Sequence, residues 1–230
     1  LAEWLARTVE ARLVLTQRSA LPGRGEWDVW LARHDEDDGT SRKIRALRAL
    51  EASGAEVLVC QADVSEREQM QGVVTQARQR FGRINGAIHA AGVPDGTIFQ
   101  RRTREETEEI LAPKVTGTRV LAEVLREEDL DIMVMCSSLA SALGPFAQMG
   151  YCAANAFQDA YANRQMVTGG PLTVTINWDT WQEVGMAVEA AQQLGEILDK
   201  RTSGPGTGAR PGETGPVGRD QAGRCAPSAT

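Results

Sequence analysis

A chain of 230 residues with 42% apolar and 24% charged side chains can bury one substantial core. Its net charge of −6, with no basic face interleaved with aromatics, excludes a nucleic-acid binder. No apolar run approaches the roughly 18 residues of a membrane span, and Leu1-Ala2-Glu3-Trp4 lacks the charged start of an export signal. These features predict a cytoplasmic protein with neither a membrane nor a nucleic-acid partner. Cys60, Cys136, Cys152 and Cys225 are scattered, with no Cys-x-x-Cys pair and only His34 and His89 beside them. That spacing predicts reduced thiols and no metal site.

In chain order, Leu1 to Arg12 reads as a helix, and the first strand-like run is Leu13-Val14-Leu15-Thr16. Residues Ala20 to Thr40 carry Pro22, Gly23, Gly25 and the acidic run Asp35-Glu36-Asp37-Asp38, which reads as an exposed insertion with a solvated charge run. After Ser41, Ile44, Leu47 and Leu50 recur at helical spacing. The next strand run is Glu56 to Cys60. Ser65-x-x-Glu68 then matches a capping box opening a helix towards Phe81, and Thr103-x-x-Glu106 matches another after the run Gly86-Ala87-Ile88-His89. Two further runs, Asp131 to Cys136 and Leu172 to Asn177, complete a set of short, nearly continuous apolar strands suited to burial on both faces.

Strands alternating with helix-sized connections predict an α/β fold, a Rossmann-like doubly wound parallel sheet. A helix opening such a fold normally follows a strand and a Gly-rich turn whose amides hold a pyrophosphate. Neither precedes Leu1, so the pattern lacks the first strand and that loop, and the chain is expected to be a fragment or a product trimmed at its start. Residues 1–200 are expected to form one reductase-like domain. From about Arg201 the composition turns to Gly, Pro, Ser, Thr and Arg. Too little apolar surface remains there to offset chain entropy, so 201–230 is expected to be a disordered tail.

The most informative stretch is Val134-Met135-Cys136-Ser137-Ser138, then Gly144, then Tyr151-Cys-Ala-Ala-Asn155-Ala-Phe-Gln-Asp159. A strand ending in serines delivers Ser138 to the carboxyl edge of an α/β sheet, where ligands bind. Tyr151 and Asn155, four apart, share a helix face. The pattern resembles the active site of short-chain dehydrogenases, in which Ser precedes the catalytic Tyr by thirteen positions. Ser138 meets that spacing and Ser137 does not. Most members have Lys four residues after the Tyr, where this chain has Asn155. In this it resembles the ketoreductase domains of polyketide synthases, which supply the Lys from an earlier helix, here Lys114 in Leu111-Ala-Pro-Lys114-Val-x-Gly117.

The resemblance implies a catalytic set of Lys114, Ser138, Tyr151 and Asn155. Reduction of a ketone needs a hydride at carbon and a proton at oxygen. A free phenol is poorly matched to proton transfer at neutral pH, and a neighbouring ammonium such as Lys114 favours the phenolate. Tyr151 is then the expected proton donor, and Ser138 orients the substrate oxygen. Asn155 either holds a proton-supplying water or positions Lys114.

For the cofactor, the resemblance implies that Arg18 and Ser19 bind an adenosine 2'-phosphate, favouring NADPH. It implies that Asp63 and Val64 meet the adenine and that His89-Ala90-Ala91-Gly92 forms the small-residue turn beside the ribose. His89 itself reads more readily as structural than as a ligand or base. Asn177-Trp178-Asp179-Thr180-Trp181-x-x-x-Gly185-Met186 resembles the segment leading into the substrate lid, its Trp residues either lining an acyl pocket or filling core. Val93-Pro94-Asp95-Gly96 resembles only part of a Leu-Asp-Asp signature of product configuration, so the configuration is left open.

The function implied is NADPH-dependent reduction of a β-ketoacyl group on an acyl carrier protein, with other polyketide synthase domains as partners. The alternative is a catalytically silent structural or interaction fragment. A free-standing reductase of small alcohols is disfavoured by the Lys114 and Asn155 arrangement and by the insertion after Arg18.

Overall fold

The computed structural model describes residues 1–179, all of which fall in one compact unit. The expected 201–230 tail and the lid residues from Thr180 onward lie outside the described residues. Helix α1 (Ala2–Val9) is followed by β1 (Leu13–Gln17), α2 (Trp27–Arg33), α3 (Gly39–Ala52), β2 (Val57–Gln61), α4 (Arg67–Phe81) and β3 (Gly86–His89). Then come α5 (Arg104–Leu111), a π-helical segment Ala112–Thr116, α6 (Gly117–Val124), β4 (Ile132–Ser138), the single turn α7 (Ala140–Leu143), α8 (Met149–Thr168) and β5 (Thr173–Trp178). No helix among the described residues is long and apolar enough to cross a membrane.

Every strand pairing is parallel. β1 pairs with β2 from Leu13 opposite Val57 to Gln17 opposite Gln61, while β4 lies between β3 and β5 in the order β3-β4-β5. Among the described residues the strands therefore form a two-stranded and a three-stranded block, in which β4 alone is paired on both sides. Side chains alternate between two cores, as the two-residue period of a strand requires. On one face, Val14, Cys60, Ala87, Met133 and Met135 from both blocks meet Met70, Val73 and Val74 of α4 and Val120, Leu121 and Val124 of α6. On the other, Leu13, Val57 and Val59 meet Ile44, Leu47 and Leu50 of α3 together with Leu5 of α1. One core thus spans both blocks, and helices lie on both faces of the strands, as a doubly wound arrangement demands.

Three expectations are corrected. The 20–40 stretch is more than an exposed insertion: it contains α2, whose Trp27 is buried and whose Trp30 and Leu31 join the core around α3. At the end of the acidic run, Asp38 is not merely solvated. Its carboxylate accepts the Ser41 N–H at 2.7 Å and the Trp30 indole N–H at 3.2 Å, capping α3 and holding α2 beside it. The Ser65 capping box does not form, because α4 begins at Arg67 without a side-chain cap and Ser65 donates to Asp63 instead. The Thr103 box forms as expected: Thr103 Oγ1 accepts the Glu106 N–H, and the Glu106 carboxylate accepts the Thr103 N–H.

Candidate active site

The carboxyl ends of the parallel strands carry the residues that the sequence singled out. Arg18 and Ser19 follow β1 directly, Asp63 and Val64 follow β2, His89 ends β3 with Ala90, Ala91 and Gly92 after it, and Ser138 ends β4. Tyr151 is the third residue of α8. Parallel strands bring these distant positions to one edge, where an open α/β sheet binds ligands.

At that edge Ser138 Oγ accepts the Ala140 N–H at 3.2 Å, which fixes the hydroxyl at the start of α7. Its own proton makes no hydrogen bond to another described residue. Tyr151 is half-buried, and its backbone is held on both sides: its N–H donates to the Asp95 carboxylate at 3.1 Å and its carbonyl accepts the Asn155 amide at 2.7 Å. Asp95 is in turn paired with Arg102, both side chains being almost wholly buried. Gly150 is required here, since a Cβ at that position would come within 2.5 Å of Arg102 Nη1. Burial alone would raise the Asp95 carboxyl, but hydrogen bonds from Arg102 and from the Tyr151 and Thr97 amides hold it below its ordinary range.

Lys114 is brought inward by the π-helical segment. Pro113 has no N–H and obstructs regular α-helical bonding, and the Gly117 N–H reaches back five residues to the Ala112 carbonyl. The Lys114 ammonium, only 3% exposed, donates to the Cys136 carbonyl at 2.6 Å and to Gln158 Oε1 at 3.0 Å. Burial pulls Lys114 down to about 8, against the opposing influence of Cys136 and Asp159. His89, also buried, shares a hydrogen bond between Nε2 and the Pro113 carbonyl at 3.0 Å. Burial, then the Lys114 charge, lowers it to about 4, so it stays neutral at pH 7.

Of the two roles expected for Asn155, positioning Lys114 is not what the geometry shows. The Asn155 amide nitrogen bonds back to Tyr151, and the Lys114 ammonium bonds to Cys136 and Gln158. Asn155 is fully buried and its Oδ1 has no partner among the described residues, which leaves an acceptor suited to a water. Gln158, which no motif in the sequence indicated, holds the lysine. The signal was its place three residues beyond Asn155 and seven beyond Tyr151 on the same helix face.

On the cofactor side, the Asp63 carboxylate accepts the Ser65 hydroxyl at 2.6 Å and the Ser65 N–H at 2.9 Å. These bonds hold its pKa below the ordinary value, with a smaller contribution from the nearby Arg18 charge. Val64 packs on Gly117, where an added Cβ would lie 2.7 Å from Val64 Cγ1. An exposed guanidinium and hydroxyl at Arg18 and Ser19 and an ordered carboxylate at Asp63 are a donor and acceptor set that fits the adenosine end of a nicotinamide dinucleotide. Among the described residues, no group of His, Cys, Asp and Glu could hold a metal ion.

The family model of the KR domain matches residues 1–183. The polyketide synthase PksM of Bacillus subtilis (strain 168) is 36% identical over 188 residues, which are 81% of this chain and 4% of that protein. The 6-methylsalicylic acid synthase of Aspergillus terreus (strain NIH 2624 / FGSC A1156) is 35% identical over 86% of this chain and 11% of its own length. Among solved structures, a ketoreductase domain from the bacillaene assembly line superimposes with a TM-score of 0.68 at 31% identity, covering 86% of this chain and 45% of that one. This chain belongs to the ketoreductase (KR) domain family of polyketide synthases, within the short-chain dehydrogenase/reductase superfamily. The family comprises oxidoreductases of polyketide biosynthesis with a nicotinamide cofactor. The chain spans a small fraction of the synthases it matches and less than half of the solved ketoreductase chain.

Proposed function

We propose that this chain reduces a β-ketoacyl group, carried on an acyl carrier protein, to the β-hydroxyacyl group with NADPH, in the cytoplasm and beside other polyketide synthase domains. The observation that supports this reading is that Ser138 ends β4 and Tyr151 lies in the first turn of α8, while the buried Lys114 ammonium bonds to one residue of each of these two elements, Cys136 and Gln158. When bound, the cofactor supplies the hydride for the carbonyl carbon. Ser138 donates its uncommitted hydroxyl proton as a hydrogen bond to the substrate oxygen and orients it. Tyr151 delivers the proton to that oxygen, and the Lys114 charge offsets the negative charge left on the phenol. Asn155 Oδ1 accepts from the water that returns the proton. Arg18 and Ser19 hold the 2'-phosphate, with Asp63, Val64 and the His89 to Gly92 turn against the adenosine.

The test is NADPH oxidation with a β-ketoacyl thioester, together with binding of NADPH to the purified chain. Tyr151→Phe is expected to abolish reduction while leaving the fold and NADPH binding intact. An active Tyr151→Phe protein would refute the assigned proton donor. Among the described residues no strand joins the β1-β2 block to the β3-β4-β5 block; this favours the second reading, a silent reductase-like domain, and failure of the folded chain to bind NADPH would select it.

A further inference from the structure

Gln158 lies two helical turns beyond Tyr151, on the α8 stripe that also holds Asn155. It is fully buried, and its two ends are committed in opposite senses: Oε1 accepts from Lys114 Nζ at 3.0 Å, and Nε2 donates to Thr118 Oγ1 at 3.4 Å. Thr118, also fully buried, therefore fixes which way the amide points. Of the two acceptors on the ammonium, the Cys136 carbonyl belongs to a backbone locked by the pairing of β4. The Gln158 amide is the one a side chain supplies.

We propose that Gln158 is a positioning residue for the reduction, its Thr118-locked amide setting the direction and the charge of the Lys114 ammonium. This rests on the role given to Lys114 under the proposed function. An ammonium 3% exposed needs acceptors to stay charged, and both hydrogen-bonding partners here are neutral. The titratable groups with which its charge interacts among the described residues are Asp159 on α8, Cys136 on β4 and His89 on β3, and the proposed reaction adds the Tyr151 phenol of α8. The carboxylate of Asp159 is directed to Ser141 and Asn177 and makes no hydrogen bond to the lysine. Removing the amide acceptor therefore weakens the charged form directly, and a carboxylate in its place strengthens it.

The chain has only three lysines, Lys43, Lys114 and Lys200, so the titration of Lys114 can be followed by NMR of lysine-labelled protein, independently of activity. Gln158→Met, close in shape but without an acceptor, is expected to lower the Lys114 titration by about one unit, and Gln158→Glu to raise it by about one unit. Thr118→Val, which frees the amide, should reproduce the Met shift in part and serves where Gln158→Met fails to fold. In reduction assays the pH at which kcat falls should move with the NMR titration, with KM for the thioester unchanged. One unit corresponds to about tenfold in kcat on the falling limb. Failure of Lys114 to shift in opposite directions in the Met and Glu variants overturns the proposal, whatever the activity. Opposite NMR shifts with an unmoved kcat profile overturn it too, and full activity in Lys114→Met would locate that failure in the role given to the lysine.

Discussion

The Asp95 carboxylate accepts the backbone N–H of Tyr151 at 3.1 Å, so a loop residue 56 positions upstream anchors the first turn of the helix bearing the phenol. Asp95 also neutralises Arg102, whose side chain is 4% exposed and whose Nε and Nη1 have no hydrogen-bond partner among the described residues. Asp95→Ala would strand a buried guanidinium, and urea unfolding should show a loss of about 3–5 kcal/mol. Replacing both residues, as Asp95→Leu with Arg102→Met, is expected to recover most of that loss. A double variant as unstable as the single one would show that the pair's charge is not the cause.

The pH dependence of stability should carry the mark of His89. Its pKa is about 4 in the folded chain and 6.5 when free. Between these values the unfolded chain binds a proton that the folded chain does not. Stability contributed by neutral His89 is therefore present above about pH 6.5 and lost as pH falls towards 4, by roughly 3 kcal/mol at the lower end. His89→Asn keeps a donor for the Pro113 carbonyl and should flatten this part of the curve. An unchanged slope between pH 6.5 and 4.5 in the variant would assign the effect elsewhere.

Gly117 and Val64 form a size-matched pair. Because an added Cβ would sit 2.7 Å from Val64 Cγ1 and 3.3 Å from Cγ2, Gly117→Ala should cost about 1–3 kcal/mol by overpacking. Val64→Ala combined with it should restore more than half the drop in melting temperature. Additive losses in the double variant would count against this contact.

At the start of α5, Thr103→Ala removes the acceptor for the Glu106 N–H and is expected to cost about 1 kcal/mol. Ser65→Ala should leave α4 in place, since that hydroxyl caps nothing. Thermal denaturation of the two variants side by side checks the contrast.

That contrast shows how far the sequence could be read. Thr103 and Ser65 head the same four-residue pattern, but an acid two positions before Ser65 captures its hydroxyl in a local turn, and local competition of this kind leaves no trace in a capping motif. The strands, their parallel sense and the place of Ser138 at the end of β4 were legible because each follows from apolar periodicity and from chain direction at the sheet edge. Helix α2 was obscured by its Pro, Gly and Asp neighbours, although Trp27, Trp30 and Leu31 already carried helical spacing. The hold of Gln158 on Lys114 joins residues 44 positions apart and depends on how α8 sits against the π-helical segment, which no single segment encodes.

That π-helical segment gives the chain an unusual sensitivity to insertion and deletion. Loss of Val115 or Thr116 would rotate the residues before it by about 100° relative to α6, the turn of one helical residue. Lys114 would swing off β4 and the Pro113 carbonyl would leave His89, with no chemically reactive residue altered. At this point of the fold, residue number sets the chemistry as firmly as residue type.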